Sequence, residues 1–242
     1  MTHVLALETS HPVGSVVLRH ADGRLVAATL SERGGQARAL TPAIADLLAR
    51  VGLAPRDLGL VVVGIGPGGY TGLRLGLATA KTLAVVLRIP IVGVTSTAVL
   101  AASPQVPSGP ILACVEATQD FVYGQAFDKS ADGTLAVRGA PFIEPAAVTA
   151  AALASGTPGT AVVGGGARLL RAHGIVVAPG AEELMPRADD LLTLGLSRFS
   201  RGEVDEERAL LPLYLRPSEA ERLWERRQAA AAGHDIGRAG NA

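Results

Sequence analysis

The stretch that decides the fold reads Gly64-Ile-Gly-Pro-Gly-Gly-Tyr-Thr-Gly-Leu-Arg-Leu-Gly-Leu-Ala-Thr-Ala-Lys81. It follows a short apolar run, Leu60 to Val63, and leads into a helical pattern that ends near Leu87. This order predicts a buried strand, a glycine-rich turn and a helix over Thr71 to Leu87. The turn could cradle a phosphate, or it could let the helix lie close to another part of the chain.

Two common nucleotide-binding motifs do not fit the turn. The run Gly64 to Gly69 matches G-x-G-x-x-G, but that fingerprint needs an acidic residue about 20 positions later to hold a ribose. There is no Asp or Glu from Leu58 to Val115. A P-loop needs Gly-Lys-Ser/Thr at its end, whereas Tyr70 follows Gly69 here. The sequence therefore excludes both the Rossmann and the P-loop interpretations.

Two regular patterns mark the helix that follows the turn. Small residues recur every four positions, at Gly72, Gly76, Ala80 and Ala84. Basic residues recur every seven positions, at Arg74, Lys81 and Arg88. A stripe of small residues lets another backbone approach closely, so the helix could dock a partner whose acidic surface the basic ridge selects. The alternative is internal packing with a solvated basic face.

Composition indicates a protein with a sizeable core and no general affinity for nucleic acid. The chain has 242 residues, 48% of them apolar and 3% aromatic, and Lys plus Arg equals Asp plus Glu at 22 each. A general nucleic-acid binder would usually be basic. The single cysteine, Cys114, lies in an apolar run and is expected to be a buried thiol. No apolar run is long enough for a signal peptide or a bilayer span, so we expect a soluble, cytoplasmic protein.

The opening pattern of the chain returns in its second half. The run Leu5-Ala-Leu-Glu8-Thr9 is echoed by Ala113-Cys-Val-Glu116-Ala117, and the turn signal Asp22-Gly23 is echoed by Asp132-Gly133. These echoes predict two related halves, each with a strand-rich start. We expect an α/β fold with mixed sheets flanked by helices.

Pro and Ser residues between positions 103 and 110 suggest a link between the halves. The predicted division is therefore 1–104 for the first half, joined by a C-terminal segment around 205–227, and 110–204 for the second. An Ala- and Gly-rich tail, 228–242, is expected to be disordered. In the first half, Thr41-Pro42 suits the start of a helix that Gly52 ends.

Few residues point to catalysis or to a bound metal. Glu8-Thr9 follows the first strand, where an acid could hold Mg²⁺ near a phosphate or could cap the turn. Gly164 and Gly165 form a second glycine turn that could approach an adenosine or simply allow a sharp bend. None of the five His has metal-ligand spacing, and we predict neither a catalytic residue nor a metal site.

With these residues in view, the chain resembles the TsaB (YeaZ) family. The resemblance is carried by Gly66 to Lys81 and supported by Leu5-Ala-Leu-Glu-Thr-Ser10, by Ile89-Pro-Ile-Val-Gly-Val-Thr-Ser96 and by Pro212-Leu-Tyr-Leu-Arg216. It implies the duplicated ASKHA (actin-like and Hsp70-like) fold and a role in making threonylcarbamoyladenosine in tRNA.

The resemblance also implies that the helices over 36–51 and 71–87 form a docking surface. We accordingly predict an interface made of Leu40, Ile44, Leu47, Gly72, Leu73, Arg74, Gly76 and Ala80. The implied partners are a catalytic TsaD-like paralogue, a TsaE-like ATPase and, for the chain alone, a second copy of itself. ATP and Mg²⁺ would be used by the assembled complex rather than bound by this chain, and tRNA would be met only through the complex.

The chain departs from its relatives at several positions. The catalytic paralogue has a His-x-x-x-His metal site where Ser96 and Leu100 stand here, so the resemblance implies a non-catalytic subunit. Gln36 stands where a His is often found, Gly69-Tyr70 replaces Ser-Phe, and Thr118 replaces the Arg of an Asp-Ala-Arg motif.

Two further hypotheses compete with the interpretation of the chain as a non-catalytic scaffold. The first is a stand-alone ATP-dependent ASKHA enzyme that uses Glu8 with Mg²⁺ and the turn Gly164 to Gly166. The second is a metalloprotease, for which the sequence offers no metal-ligand motif. For the scaffold interpretation, we expect Gly76→Leu to prevent pairing by wedging the helices apart.

Overall fold

The computed structural model describes residues 2–30 and 35–214, and its first half is a five-stranded sheet with helices on both faces. The elements of this half are β1 (His3–Glu8), β2 (Gly14–Arg19), β3 (Leu25–Leu30), α1 (Gln36–Arg50), β4 (Leu58–Gly64), α2 (Tyr70–Leu87), β5 (Ile91–Val94) and α3 (Ser96–Ala102). The strand order is β3-β2-β1-β4-β5. The first three strands are antiparallel, and β4 and β5 are parallel to β1. The sheet is therefore mixed, as the sequence predicts.

The second half repeats this arrangement in a smaller form. Its elements are β6 (Gly109–Glu116), β7 (Phe121–Lys129), β8 (Leu135–Val137), β9 (Phe142–Pro145), α4 (Ala146–Ala154), β10 (Ala161–Val163) and α5 (Ala167–Ala172). The strand order is β10-β6-β7-β8, and β9 also pairs with β7. The strand β10 is parallel to β6, as β4 is to β1, and Asp132-Gly133 turns between β7 and β8 as Asp22-Gly23 turns between β2 and β3. The predicted duplication is confirmed.

Helices cover both faces of each sheet, and the residues that they bury there are mainly apolar. In the first half, α1 and α2 pack on one face around Leu5, Leu7 and Val63. The opposite face, with Val4 and Val62, is covered mainly by α6 (Ala188–Ser200). In the second half, α4 and α5 cover one face of the sheet, and α3 covers the other. This double coverage explains why β1 and β4 read as continuous apolar runs rather than as alternating ones.

The structure corrects the predicted division of the chain. We assigned 110–204 to the second half, but α6 packs on the first sheet, where Gly195 lies directly against Val62. Residues 205–214 continue along the same half, because Asp205 bridges to Ile91 of β5 and the Leu213 N–H donates to the Ile65 carbonyl at 2.7 Å. The rest of the predicted joining segment and the tail, 215–242, lie outside the described residues.

The first helix has the extent that the resemblance implies, 36–51, and starts before the local signal at Thr41-Pro42. The helix α1 begins at Gln36, ends at Arg50 and contains Pro42. The Gln36 side-chain amide donates to the carbonyls of His11 and Pro12 at 2.7 and 2.6 Å, which ties the first turn of the helix to the loop after β1. This tertiary contact outweighs the local preference that proline has for a helix start.

Candidate functional site: the glycine turn and the helix pair

The glycine turn brings α2 against the end of β1. The Gly69 N–H donates to the Ser10 carbonyl at 2.7 Å, and the Thr9 hydroxyl donates to the Gly72 carbonyl at 2.8 Å. A Cβ atom added to Gly68 would overlap the Ser10 carbonyl oxygen. The sequence left open whether the turn cradles a phosphate or lets the helix lie close to another part of the chain. The contacts with Ser10 and Thr9 fit the second interpretation.

The stripe of small residues on α2 faces the interior of the same chain. A Cβ atom on Gly72 would overlap the Thr9 carbonyl oxygen, and one on Gly76 would overlap the Thr9 hydroxyl. Further along the helix, Ala80 and Ala84 are buried in the core beneath the first sheet. The stripe therefore serves internal packing, which was the alternative to docking.

Most of the predicted interface residues lie in that interior too. Leu40, Leu47 and Leu73 are almost completely buried, and Ile44 is buried with them. In the chain alone these four side chains present almost no surface to a partner, and the interface predicted for them stays a prediction. A Gly76→Leu change would disturb the chain's own fold first, so it is not a specific test of pairing.

The basic ridge holds the C-terminal segment of the described chain. The Arg74 guanidinium lies 4.0 Å from the centre of the Tyr70 ring, and its Nε donates to the Tyr214 hydroxyl at 2.9 Å. The rings of Tyr70 and Tyr214 stack at 5.1 Å. Lys81 donates to the Leu210 carbonyl at 3.1 Å. A partner contact by Arg74 stays a prediction, but its contacts within the chain already fix its position.

The surfaces of the helix pair that do face outwards are different from the predicted ones. On α2 the exposed residues include Ala78, Thr82, Val85 and Val86, and the two valines are 56% and 72% exposed. On α1 the exposed residues include a row of small side chains, namely Ala37, Thr41, Ala45 and Ala49. We call these two sets together the outer face of the helix pair. On α2, periodicity alone could have found this face, because its exposed positions lie opposite the buried stripe of small residues.

The Glu8 carboxyl group is sealed inside the fold. Its side chain has no exposed surface, and Gly64 lies so close that any Cβ there would overlap the carboxyl oxygens. The Ser10 N–H donates to Oε1 at 2.8 Å, and the Ser96 hydroxyl donates to Oε2 at 3.4 Å. Burial raises the pKa of this carboxyl group, against hydrogen bonds from Ser10 and Ser96 that lower it. Glu8 caps the turn, and its enclosed oxygens do not fit the role of a Mg²⁺ ligand.

The second glycine turn is only partly open. Gly164 has a φ of +93° and lies against the Cys114 carbonyl, so a sharp backbone bend requires glycine there. Gly165 has open space around its Cα. Glu116, the counterpart of Glu8, is half-exposed and pairs with Arg168. Of the two regions predicted to contact a nucleotide, the one at Glu8 and Thr9 is sealed within the fold, whereas the turn at Gly164 and Gly165 is partly accessible.

The positions that correspond to the metal-binding histidines are also enclosed. Ser96 and Leu100 lie on α3 and are buried, Ser96 beside Glu8 and Leu100 in the core of the second half. Within residues 2–30 and 35–214, no three or more His, Cys, Asp or Glu side chains are grouped so that they could hold a metal ion. Over the same residues, no helix is both long and apolar enough to cross a bilayer.

We expect Glu8→Gln to stabilise the protein at neutral pH, by on the order of 1 kcal/mol, because glutamine keeps the acceptor for Ser10 without the cost of a buried charge. The raised pKa means that the folded state holds its proton more tightly than the unfolded state does. The contribution of Glu8 to stability should therefore fall as the pH rises above its ordinary value of 4.5, and the variant should lack this fall.

Urea denaturation at several pH values measures both effects of Glu8→Gln. The matched control is Glu116→Gln, the equivalent position on β6, where the carboxylate is half-exposed and paired with Arg168. A change there should stay within about 1 kcal/mol at every pH. Equal pH profiles for the native chain and Glu8→Gln would contradict the sealed-carboxyl interpretation.

Comparisons with known proteins agree on one family. The family model described as "TsaD: tRNA N6-adenosine threonylcarbamoyltransferase" matches residues 35–162, which is more than half of the chain. The tRNA threonylcarbamoyladenosine biosynthesis protein TsaB of Escherichia coli is 27% identical over 220 residues, covering 88% of this chain and 94% of that protein. The TsaB protein of Bacillus subtilis is 39% identical over 121 residues, but this covers only 50% of the chain and 52% of the relative.

Two solved structures have the same architecture. The structure of YeaZ from Pseudomonas aeruginosa superposes with a TM-score of 0.77 at 28% identity, covering 89% of this chain and all of that one. A second structure, of an uncharacterized protein with similarity to peptidase YeaZ from Pseudomonas aeruginosa, gives the same TM-score at 29% identity, with 89% and 100% coverage.

Two related mixed sheets, flanked by helices and joined through α3, define a protein of the duplicated α/β ASKHA class. Within that class, the chain belongs to the tRNA N6-adenosine threonylcarbamoyltransferase family, in its TsaB (YeaZ) group.

Proposed function

We propose that this chain is the non-catalytic dimerisation and activating subunit of a tRNA threonylcarbamoyladenosine transferase complex. Its family membership places it in threonylcarbamoyladenosine biosynthesis. In the proposed complex it pairs with a TsaD-like catalytic paralogue and holds that paralogue in a competent conformation. The assembled pair then recruits a TsaE-like ATPase.

The observation that carries the proposal is the apolar outer face of the helix pair. Val85 and Val86 are both largely exposed on α2, and Ala78 and Thr82 precede them on the exposed side of the same helix. Two adjoining exposed valines suit a protein–protein contact, because such a contact would remove them from water. The small side chains of the row on α1 would let a partner helix approach closely. Pairing through this face replaces the buried residues of the predicted interface.

The enclosure of Glu8 supports a non-catalytic role. An acid that served Mg²⁺ or a reacting group would need to reach its ligand, whereas both oxygens of Glu8 face protein atoms. The alcohol of Ser96 and the hydrocarbon of Leu100 provide no imidazole ligand where the paralogue's metal site is expected. We accordingly propose that ATP and Mg²⁺ act in the assembled complex and are not bound by this chain alone.

Three further parts of the proposal concern the setting of the protein. Alone, it forms a homodimer through the same outer face. It meets tRNA only through the complex, and it works in the cytoplasm. The stretch Arg216 to Arg227, which has four Arg and three Glu and could bear on tRNA contact, lies outside the described residues.

The test is to mix the purified chain with its TsaD-like paralogue and to record the molar mass by light scattering, with and without ATP and Mg²⁺. We expect a one-to-one complex, and a homodimer for the chain alone. Titration calorimetry with ATP and Mg²⁺ should give no heat of binding for the chain alone. A chain that stays monomeric, ignores the paralogue and hydrolyses ATP would overturn the proposal in favour of a stand-alone ATP-dependent enzyme.

A further inference from the structure

The helix α3 belongs to the cores of both halves of the molecule. Its Val99 side chain packs in the core between the first sheet and α6. The next two residues, Leu100 and Ala101, pack in the core of the second half with Ile111 and Phe127. The chain crosses from one half to the other directly after α3, through residues 103–108. Any rotation of one half against the other must therefore separate α3 from one of its two cores.

One face of β7 is turned towards α3 and carries an unusual set of side chains. Gln125, Phe127 and Lys129 alternate along the strand, so they lie on the same face. All three are buried, although two of them are polar. Polar side chains are rarely placed in a core unless partners satisfy them. The burial of Gln125 and Lys129 on this face must therefore be explained by the partners that they bind.

The first polar residue of this face holds the N-terminal end of α3. The Thr97 hydroxyl donates to the Gln125 side-chain oxygen at 2.9 Å, and both residues are buried. The Gln125 amide nitrogen donates in turn to the Gly139 carbonyl at 3.4 Å, which belongs to the second half. Thr97 therefore connects α3 to a side chain whose other contact lies in the second half.

The second polar residue holds the C-terminal end of α3 and the crossing segment. The Lys129 ammonium group donates to the carbonyls of Ser103, Val106 and Ala102, at 2.7, 2.9 and 3.3 Å. Carbonyls at the end of a helix lack partners within the helix, and a cation is favoured there. The three contacts use all three N–H groups of the lysine. Asp190 of α6, which packs on the first sheet, adds its negative charge nearby.

We propose that the β7 face made of Gln125, Phe127 and Lys129 is a lock that fixes the two halves as one rigid unit by gripping both ends of α3. A hinge rotation that kept α3 with the first half would strip the Lys129 ammonium group and the three carbonyls of their partners in a buried place, which is costly. A rotation that kept α3 with the second half would pull Val99 out of the core of the first half. Proteins of two halves commonly open and close about such a crossing segment. In this chain the lock restricts hinge rotation between the two halves, whichever partner the chain binds.

The experiment measures the distance between the halves with spin labels. Two exposed alanines away from the outer face of the helix pair, Ala27 on β3 and Ala151 on α4, are replaced by cysteine in the full chain and labelled. The native Cys114 is buried, and burial raises the pKa of its thiol to about 12, so it does not compete for the label. Pulsed electron paramagnetic resonance then gives the distribution of distances between the labels.

Three variants are compared in this labelled background. Lys129→Met keeps an apolar stem of similar length but removes the charge, and Thr97→Val removes the other contact with almost no change of shape. Lys81→Met is the matched control, because Lys81 also donates to a backbone carbonyl, but within the first half. We expect a single narrow distribution for the parent and the control, and broader ones for the two lock variants. Amide exchange at Ser103 and Val106 should rise at least about tenfold in Lys129→Met.

A purely local role for Lys129, as a cap of α3, would raise amide exchange without broadening the distance distribution, and that result would overturn the proposal. Equal broadening in Lys81→Met would overturn it as well. If Lys129→Met does not fold, as judged by circular dichroism, Thr97→Val decides: a distribution as narrow as that of the parent contradicts the lock, and a broader one supports it.

Discussion

Replacement of Gly72 with alanine is expected to lower the free energy of unfolding by about 2–3 kcal/mol. The new methyl group would occupy the position of the Thr9 carbonyl oxygen, which is backbone and cannot turn aside as a side chain could. Either α2 moves away from β1 or the loop after β1 shifts, and both break the bond from the Thr9 hydroxyl to the Gly72 carbonyl. Alanine favours helix over glycine by about 1 kcal/mol, so the steric cost is partly offset.

Urea denaturation of the two proteins measures this loss, with Gly165→Ala as the matched control. Gly165 lies in the equivalent glycine turn of the second half, where a Cβ atom meets nothing within 4 Å. The same substitution there should change the free energy of unfolding by less than about 0.5 kcal/mol. If Gly72→Ala were as harmless as Gly165→Ala, the stripe on α2 would not be an internal contact, and the docking interpretation would regain its force.

The contact between Gly72 and Thr9 shows where sequence reasoning reaches its limit. A repeat of small residues identifies a face of a helix that something approaches, but it does not say what approaches it. Here the neighbour lies 63 positions away in the sequence, at the end of a strand. The same pattern fits a partner molecule equally well, and only the tertiary structure distinguishes the two.

Elements with a strong local pattern were predictable. The helix after the glycine turn was predicted over Thr71 to Leu87 and is observed from Tyr70 to Leu87, and the apolar run Leu60 to Val63, predicted as a buried strand, lies within β4. The echo of Asp22-Gly23 was also a reliable guide, because the same hairpin recurs in the second sheet. Turn chemistry and continuous apolar runs depend on few residues, so tertiary context rarely overrides them.

The strand β7 and the helix α3 were missed for a common physical reason. The strand carries Gln125 and Lys129 on a buried face, so its polar residues do not mark the solvent side as they do in ordinary strands. The helix has only seven residues and is enclosed by two cores, which removes the helical period of exposed positions. The polar residues of β7 are buried because they bond to α3, and α3 lacks exposed positions because β7 and the two cores enclose it. The unpredictable part of the fold is thus the contact from which the lock between the halves is inferred.

Replacement of Val86 with glutamate is expected to weaken pairing with the TsaD-like paralogue at least about 100-fold, if the outer face of the helix pair is the interface. Val86 is 72% exposed in the chain alone, so the fold loses little, although a negative charge near the end of α2 costs about 0.3–1 kcal/mol. In the complex, the carboxylate would be buried without a partner, which costs several kcal/mol. Titration calorimetry against the paralogue gives the affinity directly.

The matched control for Val86→Glu is Val176→Glu, because Val176 is 92% exposed and lies in the second half, away from α1 and α2. It should pair like the native chain. Val86→Lys separates burial from charge attraction: if both signs of charge weaken binding, the site is an apolar contact, whereas a loss with glutamate alone would indicate an acidic partner surface near Arg74 and Arg88. Native affinity in Val86→Glu would remove the outer face of α2 from the interface, while leaving the existence of the complex to be decided by light scattering.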